Sequence, residues 1–149
     1  IKEIRNLVNV ELPVSIGIPT EYVADQTMRL RLYRRIADTQ SETEIEALQE
    51  EFVDRFGPLP EEVKELLFFM RVKAKAELAG LVSVTAEGDQ IVLRFPPLPE
   101  GIKSRNLPQL APARTGKNAY WMKFKPEEDT WKMDLCCVLE DIIAARVIS

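Results

Sequence analysis

The sequence contains no histidine, and this absence excludes much of the chemistry on which enzymes commonly depend. Without an imidazole there is no histidine general base, no Ser-His-Asp triad and no histidine metal ligand. The two cysteines, Cys136 and Cys137, are adjacent. Neighbouring cysteines seldom form a disulfide, and two thiols do not complete a four-ligand zinc site. This cysteine usage suits a reducing, intracellular setting.

Phosphate-binding loops and membrane spans are also missing from the sequence. The six glycines form neither a GxxxxGK[ST] nor a GxGxxG pattern, so no nucleotide cradle is recognisable. No apolar run approaches the ~18 residues of a membrane span. We therefore expect a cytoplasmic chain with no enzyme activity, cofactor, metal or membrane partner of its own. Because it lacks both a signal peptide and an initiator methionine, we expect it to be part of a larger protein.

The composition that remains is that of one soluble globular domain, with 149 residues, 46% apolar and 30% charged. Apolar residues alternate over 8–18, which predicts a strand, and Pro13 indicates either an edge strand or irregular pairing. Two apolar runs around a Glu-Gly-Asp turn predict a hairpin over 81–95. Tyr120–Lys125 alternates again and predicts another strand.

Four other segments carry apolar residues at helical spacing, with capping, proline or glycine signals at their ends. The predicted helices run from Asp25 to Asp38, from Ser41 to Gly57, from Pro60 to Gly80 and from Pro126-Glu127-Glu128 to the C-terminus. The apolar stripe of the second helix comprises Ile45, Leu48, Phe52, Val53 and Phe56. Residues 96–119, with five prolines, should be the least regular, with at most a turn or two of helix in Ile102–Leu110. The element order predicts an α+β fold with several helices packed on one face of a small antiparallel sheet.

Arginines occupy both sides of the predicted first helix. Arg29 lies in the middle of the apolar arc, and because a buried charge needs a partner, it is a candidate for a structural buried ion pair with a carboxylate. Arg31, Arg34 and Arg35 lie on the opposite side. They are either solvated or paired with the acidic helix that follows, or they form a nucleic-acid surface. Because a chain of net charge −4 without a broad basic stripe gains little from counterion release, direct nucleic-acid binding is not expected.

The predicted second helix carries six acidic residues and one basic residue. On a helical wheel Glu50, Glu51 and Asp54 lie side by side opposite the apolar stripe, and Arg55 is placed at i,i+4 to pair with Glu51. Composition leaves two interpretations open, a solvated acidic face or a docking face for a basic partner surface. We do not expect a catalytic carboxylate pair, because nothing on an exposed convex helix raises a pKa or excludes water.

Two of these runs resemble a known family. DQTMRLRLYRRIA (25–37) and SETEIEALQEEFVDRFGPLPEEV (41–63) resemble the C-terminal domain of the bacterial transcription-repair coupling factors, the Mfd family. The match is close over Arg29–Ala37 and Asp54–Pro60 and loose over the lead-in Val10–Tyr22. The resemblance covers residues 8–80, and two motifs at this separation form a specific combination.

The resemblance implies a non-catalytic, autoinhibitory domain of a larger protein. The parent would be a double-stranded DNA translocase with ATP and Mg²⁺ in its motor. It would remove stalled RNA polymerase at lesions and recruit the excision-repair machinery through UvrA. Residues 1–20 would be a lead-in strand or linker from the upstream motor, and residues 21–149 the C-terminal regulatory domain.

The resemblance also implies a partner and a contact site. The domain would dock on the UvrB-like N-terminal module of the same polypeptide, mask the UvrA-binding surface and restrain the translocase. The family's contact residues lie on the helix that ends in D-R-F-G, which by motif match places the partner-binding site on Glu51, Asp54 and Arg55. The alternative is a nucleic-acid-binding accessory domain that uses Arg31, Arg34 and Arg35.

Overall fold

A computed structural model describes residues 8–148 of the chain. Within this range the helices are α1 (Gln26–Ala37), α2 (Glu42–Phe56), α3 (Glu61–Ala79) and α4 (Thr130–Ile148). The strands are β1 (Asn9–Glu11), β2 (Ser83–Glu87), β3 (Gln90–Arg94), β4 (Arg114–Thr115) and β5 (Ala119–Lys123). The combination confirms the predicted α+β class.

The chain forms two compact units, and the boundary between them falls within α3. We call Val14–Ala74 the helical unit, and Lys75–Ser149 together with Ile1–Pro13 the sheet unit. The predicted boundary at residue 20 coincides with neither end of the helical unit, which begins at Val14 and ends at Ala74. The assignment of residues 1–20 as a lead-in from an upstream motor stays a prediction.

Local signals define the first two helices of the helical unit. The Asp25 carboxylate caps α1 by accepting a hydrogen bond at 3.0 Å from the backbone N–H two residues on, and the Ser41 hydroxyl caps α2. The Glu44 carboxylate accepts a hydrogen bond from the backbone N–H of Gln40 at 2.9 Å. In a capping box it would accept from the N–H of the N-cap residue itself, which here is Ser41. Gly57 ends α2 with φ 94° and ψ −169°, a positive-φ conformation outside the left-handed helical region that glycine adopts readily.

The core of the helical unit is a single apolar cluster to which all three of its helices contribute. Phe52 is completely buried, and its ring meets that of Phe56 edge-on at 6.2 Å. The Tyr22 hydroxyl donates to the carbonyl oxygen of Gly57 at 2.8 Å and lies 3.1 Å from that of Phe52, so its single proton is shared between the two. These contacts attach the loop before α1 to the C-terminal end of α2. Burial raises the pKa of Tyr22 above its usual value. The buried members are Ile18, Val23, Leu32, Ile36, Ile45, Leu48, Phe52, Val63, Leu66, Leu67 and Ala74.

The sheet has the order β1-β2-β3-β5-β4, and it is mixed rather than wholly antiparallel as predicted. β1 pairs with β2 in parallel, because a long helical connection rather than a hairpin joins them; the other pairs are antiparallel. β1 does lie at the edge, as Pro13 indicated, but it covers only three of the residues predicted over 8–18. The alternation does not continue as a strand beyond Pro13, and Ile16 is 46% exposed.

Cross-strand register separates the two faces of the sheet. One row of paired residues, Val10, Val84, Leu93 and Tyr120, is buried throughout. The adjacent row on the opposite face contains Thr85, Val92, Trp121 and Arg114, and Trp121 in that row is only half-buried. The Trp131 ring of α4 packs at 5.4 Å against Phe124, just beyond β5.

The connection from β3 to β4 is irregular, as its prolines predicted. The turns of helix predicted in Ile102–Leu110 do not form. Arg105 holds the connection instead, by donating to Asn118 Oδ1 at 2.7 Å and to the carbonyl oxygen of Pro96 at 2.9 Å. Similarly, α4 begins at Thr130 rather than near Pro126, because the residues before it form turns.

Candidate docking surface

Glu51 is the centre of an ion-pair cluster that joins α1 to α2. Arg35 of α1 donates to both of its carboxylate oxygens, at 2.6 and 2.8 Å. Arg55, one turn along α2, donates to the same carboxylate at 3.1 Å, as the sequence spacing predicted. These hydrogen bonds, chiefly that from Arg35, lower the pKa of Glu51 to about 2. The carboxylate of Glu51 is therefore ionised, and arginines of the same chain already balance its negative charge.

Arg55 has two further contacts in the helical unit. Its guanidinium lies 5.0 Å from the centroid of the Phe56 ring, and one of its nitrogens is 3.8 Å from the sulfur of Met28. Of the three predicted contact residues, the structure thus brings Glu51 and Arg55 together in an internal cluster. It leaves Asp54 apart from that cluster.

A row of carboxylates follows the other side of α2. Glu46, Glu50 and Asp54 are spaced four residues apart and are all exposed. None of the three has an ion pair or side-chain hydrogen bond with another residue in the 8–148 range. We call these three residues the acidic row. It holds the negative charge of α2 that the chain does not neutralise for itself.

Val53 lies next to the acidic row and is 45% exposed, so its predicted place in the core is wrong. At 100° per residue Val53 is about 80° from Ile45, at the edge of the apolar stripe, whereas Phe52 and Phe56 lie within roughly 20° of its centre. Phe52 is completely buried and Phe56 is half-buried, so the covered part of the stripe ends before Val53. The acidic row and Val53 together form a surface that we call the docking face.

The basic side of α1 is divided by the same cluster. Arg35 pairs with Glu51 of the acidic helix, which is one of the three interpretations that the sequence left open. Arg31 and Arg34 are exposed, and neither has a polar partner among the described residues. The alternative nucleic-acid surface on α1 is thereby reduced from three free arginines to two.

Arg29 is half-buried, but a different partner replaces the predicted carboxylate. Its guanidinium donates to the carbonyl oxygens of Val23 and Ala24, at 2.8 and 2.9 Å. Within residues 8–148 no carboxylate lies within ion-pairing distance of it. Carbonyl groups of the loop before α1 point at this position, and they satisfy a cation without a second buried charge.

One charged feature was not predicted from the sequence. Residues 90–125 contain seven basic residues and one acidic residue, whereas the rest of the chain contains 13 and 23. The net charge of −4 conceals this separation of a basic segment from an acidic remainder. A running sum of charge along the sequence would have revealed the basic segment. The segment forms β3, β4, β5 and their connections in the sheet unit.

Two kinds of site are absent from the part of the chain that the structure describes. No group of three or more His, Cys, Asp or Glu side chains there is placed to hold a metal ion. Nor, over the same residues, is any helix both long and apolar enough to cross a membrane.

The fold defines the chain as an α+β domain, and its helix α2 carries an exposed row of unpaired carboxylates. Residues 12–103 match the TRCF domain family, and the chain belongs to this family. It is similar to the transcription-repair-coupling factors of Rickettsia typhi, at 36% identity over 87 residues, and Escherichia coli, at 36% over 86 residues. Each match covers 58% of this chain and 8% of the relative, so the chain matches only a small part of those proteins.

A solved structure resembles nearly the whole chain. It is described as the crystal structure of the C-terminal domain of a transcription-repair coupling factor. The TM-score is 0.76 at 20% sequence identity, and the alignment covers 94% of this chain and 93% of the other. At this identity the comparison shows a shared fold. It extends the similarity beyond residue 103, where the family match ends.

Proposed function

We propose that the chain is the non-catalytic, autoinhibitory C-terminal domain of a transcription-repair coupling factor, a protein of transcription-coupled DNA repair. It docks on the UvrB-like N-terminal module of the same polypeptide, masks the surface that binds UvrA and restrains the DNA translocase. ATP and Mg²⁺ chemistry, and contacts with UvrA and RNA polymerase, belong to other parts of that polypeptide. Family membership and the shared fold support the identity of the domain, and the resemblance of its motifs suggests the docking partner.

The observation that carries the docking proposal is the state of Asp54. This residue belongs to the D-R-F-G motif, is exposed, and has no polar partner among the described residues. An unneutralised carboxylate row favours a partner surface of opposite charge, which gives specificity and a fast association rate. Val53 adds an apolar contact beside it, and burying that side chain would remove water from around the charges.

The three motif residues therefore have different roles in the proposal. Asp54 contacts the partner, while Glu51 and Arg55 chiefly hold α2 against α1 and so fix the direction of the docking face. The side chains of Glu51 and Arg55 are 33% and 40% exposed, which leaves them accessible at the border of the contact. Their mutual ion pair is already made before docking and gains less from a partner.

Such a contact is suited to opening and closing. Interfaces between domains of one chain are moderate in area and fairly polar, so relative motion is the usual expectation. A ligand that prefers the open state shifts the equilibrium only by its difference in affinity for the two states. In this proposal UvrA is that ligand, since its binding surface is free only when the domain has moved away.

The test is UvrA binding by the full-length parent with Asp54→Lys in this domain. Because desolvated charges at an interface each contribute ~2 kcal/mol or more, the reversal should raise the open fraction and UvrA binding at least several-fold. The matched control is Asp141→Lys, an exposed aspartate of α4 without a polar partner in the described part of the chain. It makes the same charge change and should leave UvrA binding unchanged.

The proposal fails if the Asp54→Lys parent binds UvrA as the unmodified protein does while its C-terminal domain is folded. Thermal unfolding of the isolated chain provides the check on folding. Glu51 is not used in this test, because its reversal would also break the contact with Arg35.

A further inference from the structure

Within the basic segment, residues 90–125, Trp121 lies on the face of the sheet opposite to the buried row that contains Tyr120, and we call this the outer face. Thr85 and Val92 in the row of Trp121 are buried, whereas Trp121 is half-buried and Arg114 is exposed. In the strand register, Trp121 lies opposite Val92 on one side and Arg114 on the other. Lys123 lies two residues further along β5, opposite Gln90, and therefore points to the same face. Lys117 lies in the turn before β5.

Trp121 is fixed in position, although it lies outside the core. Its indole ring packs against the backbone at Gly116, where a side chain of any other residue would collide with the ring. The neighbouring Tyr120, which points to the other face, is completely buried, whereas Trp121 is half-buried. An open pocket of about 360 Å³ lies beside the indole. Its lining is Arg94, Phe95, Lys117, Asn118, Ala119 and Trp121.

The cations of this segment divide into two groups. The arginines have partners: Arg94 pairs with Glu87, Arg114 donates to Gln90 at 3.1 Å, and Arg105 bonds to Asn118. Four lysines, by contrast, are exposed and have no ion pair or side-chain hydrogen bond within the described residues. They are Lys103, Lys117, Lys123 and Lys125. Lys117 and Lys123 stand before and after Trp121 along the chain, so free positive charge flanks a fixed aromatic ring.

We propose that this outer face of the sheet, with Trp121 between Lys117 and Lys123, binds single-stranded nucleic acid. Single-strand binders combine a positively charged groove, which follows the phosphates, with aromatic side chains on which bases stack. An acidic peptide would use the lysines but would gain little from the indole. The face is distinct from the docking face on α2, so either proposal can fail without the other.

The first experiment measures binding of the full chain to a fluorescein-labelled oligo-thymidylate of roughly 16 nucleotides, the upper site size of one single-strand module, by fluorescence anisotropy. Affinity should fall as salt rises. Lys117→Gln with Lys123→Gln should weaken binding and reduce the slope of log affinity against log salt by about 1.4, because each phosphate contact contributes about 0.7.

The matched control is Arg31→Gln with Arg34→Gln. It removes two exposed cations without polar partners in the described range, and the change in net charge is the same, but the site is on α1. This variant should bind as the unmodified chain does. If it loses as much affinity as the lysine variant, binding is due to overall charge or to the helix α1, and the proposal is wrong.

The second experiment tests stacking through tryptophan fluorescence. The oligonucleotide should quench the emission of Trp121, while the buried Trp131 provides an internal reference. Trp121→Leu should abolish the quenching and weaken binding roughly fivefold or more, as expected for the loss of one stacked base. If circular dichroism shows that this variant is unfolded, the quenching measured in the unmodified chain decides whether a base stacks on Trp121, since that measurement needs no substitution.

Two results would overturn the proposal. One is the absence of quenching when the labelled oligonucleotide is bound. The other is displacement of the oligonucleotide by oligo-glutamate as effectively as by unlabelled oligo-thymidylate, which would assign the face to an acidic protein segment. Quenching together with weak competition by oligo-glutamate would support it.

Discussion

The surface along α2 in the helical unit and the surface around Trp121 in the sheet unit carry unpaired charges of opposite sign. Residues 14–74 contain eight basic and twelve acidic residues, whereas residues 75–149 contain ten of each. In the helical unit two arginines neutralise Glu51, and carboxylates remain free along α2. In the sheet unit Glu87 pairs with Arg94, and lysines remain free around Trp121. On these two surfaces internal pairing, rather than the total charge of the unit, determines which charges stay unpaired.

The two internal pairs are similar in kind. Hydrogen bonds from arginine, that of Arg35 to Glu51 and that of Arg94 to Glu87, lower the pKa of each carboxyl to about 2. Thr85 assists in the second case by donating to Glu87. Both pairs are partly exposed, so solvent screens them and their effect on the free energy of unfolding is modest. Packing, not charge pairing, should therefore dominate the stability of each unit.

The largest expected effect distinguishes core from surface on α2. Phe52→Ala should lower the free energy of unfolding by ~3–5 kcal/mol, because it removes a completely buried ring. Val53→Ala, the neighbouring change, should stay within ~0.5 kcal/mol because Val53 is 45% exposed. Urea unfolding monitored by circular dichroism measures both. Similar losses for the two variants would show that Val53 belongs to the core and not to the docking face.

A smaller effect is expected at Arg29. Arg29→Ala leaves the carbonyl groups of Val23 and Ala24 without their donor, which should cost about 1–3 kcal/mol in the free energy of unfolding. Arg31→Ala, on the exposed side of the same helix, should change it by less than ~0.5 kcal/mol. Thermal unfolding of the pair measures the difference. If Arg29→Ala is as mild as Arg31→Ala, water replaces the guanidinium at these carbonyls without loss.

The next effect separates two adjacent glutamates of α2. Glu51→Gln should destabilise the chain by up to roughly 1 kcal/mol, after allowance for the screening of an exposed pair. Glu50→Gln should instead stabilise it by a few tenths of a kcal/mol, because repulsion from Asp54 at i,i+4 is relieved. Equal changes in the same direction would mean that the cluster around Glu51 contributes nothing specific to folding.

The pH dependence of stability sharpens this comparison. Because folding lowers the pKa of Glu51 to about 2, from about 4.3 in an unfolded chain, its contribution is complete above the unfolded value. It is lost as the pH falls through this interval toward 2. Glu51→Gln should remove part of that acid dependence, measured as the urea midpoint between roughly pH 5 and pH 2. Parallel curves for the variant and the unmodified chain would contradict the assignment.

The smallest expected effect concerns the sheet unit. If its outer face binds single-stranded nucleic acid, Glu87→Gln should release Arg94 for a phosphate contact. The slope of log affinity against log salt should then become steeper by at most about 0.7. Anisotropy with the labelled oligo-thymidylate measures this change. A shallower slope would show that Arg94 does not face the bound strand.

The parts of the fold that could be predicted from the sequence depend on local chemistry. The capping side chains of Asp25 and Ser41 lie within three residues of the backbone groups they bond, so the residues at which α1 and α2 start could be predicted. The parallel pairing of β1 with β2 could not, because the partner strand lies beyond three helices and no local signal specifies it.

The contacts of the candidate site also include some that local sequence predicts and some that depend on distant segments. The contact of Arg55 with Glu51 follows from helical spacing alone, whereas the stronger contact from Arg35 depends on how α1 lies against α2. The exposure of Val53 and the carbonyl partners of Arg29 likewise depend on neighbouring segments of chain. Periodicity assigned both residues to the apolar side, but it does not show how wide the covered stripe is.

The measurement that tests the central claim most directly is a calorimetric titration of this chain with the UvrB-like module. The unmodified chain and Asp141→Lys should bind the module equally. Asp54→Lys should bind it at least several-fold more weakly, with its thermal unfolding unchanged. Equal affinity of the folded Asp54→Lys variant and the unmodified chain would contradict the account, and would leave the acidic row as solvated surface.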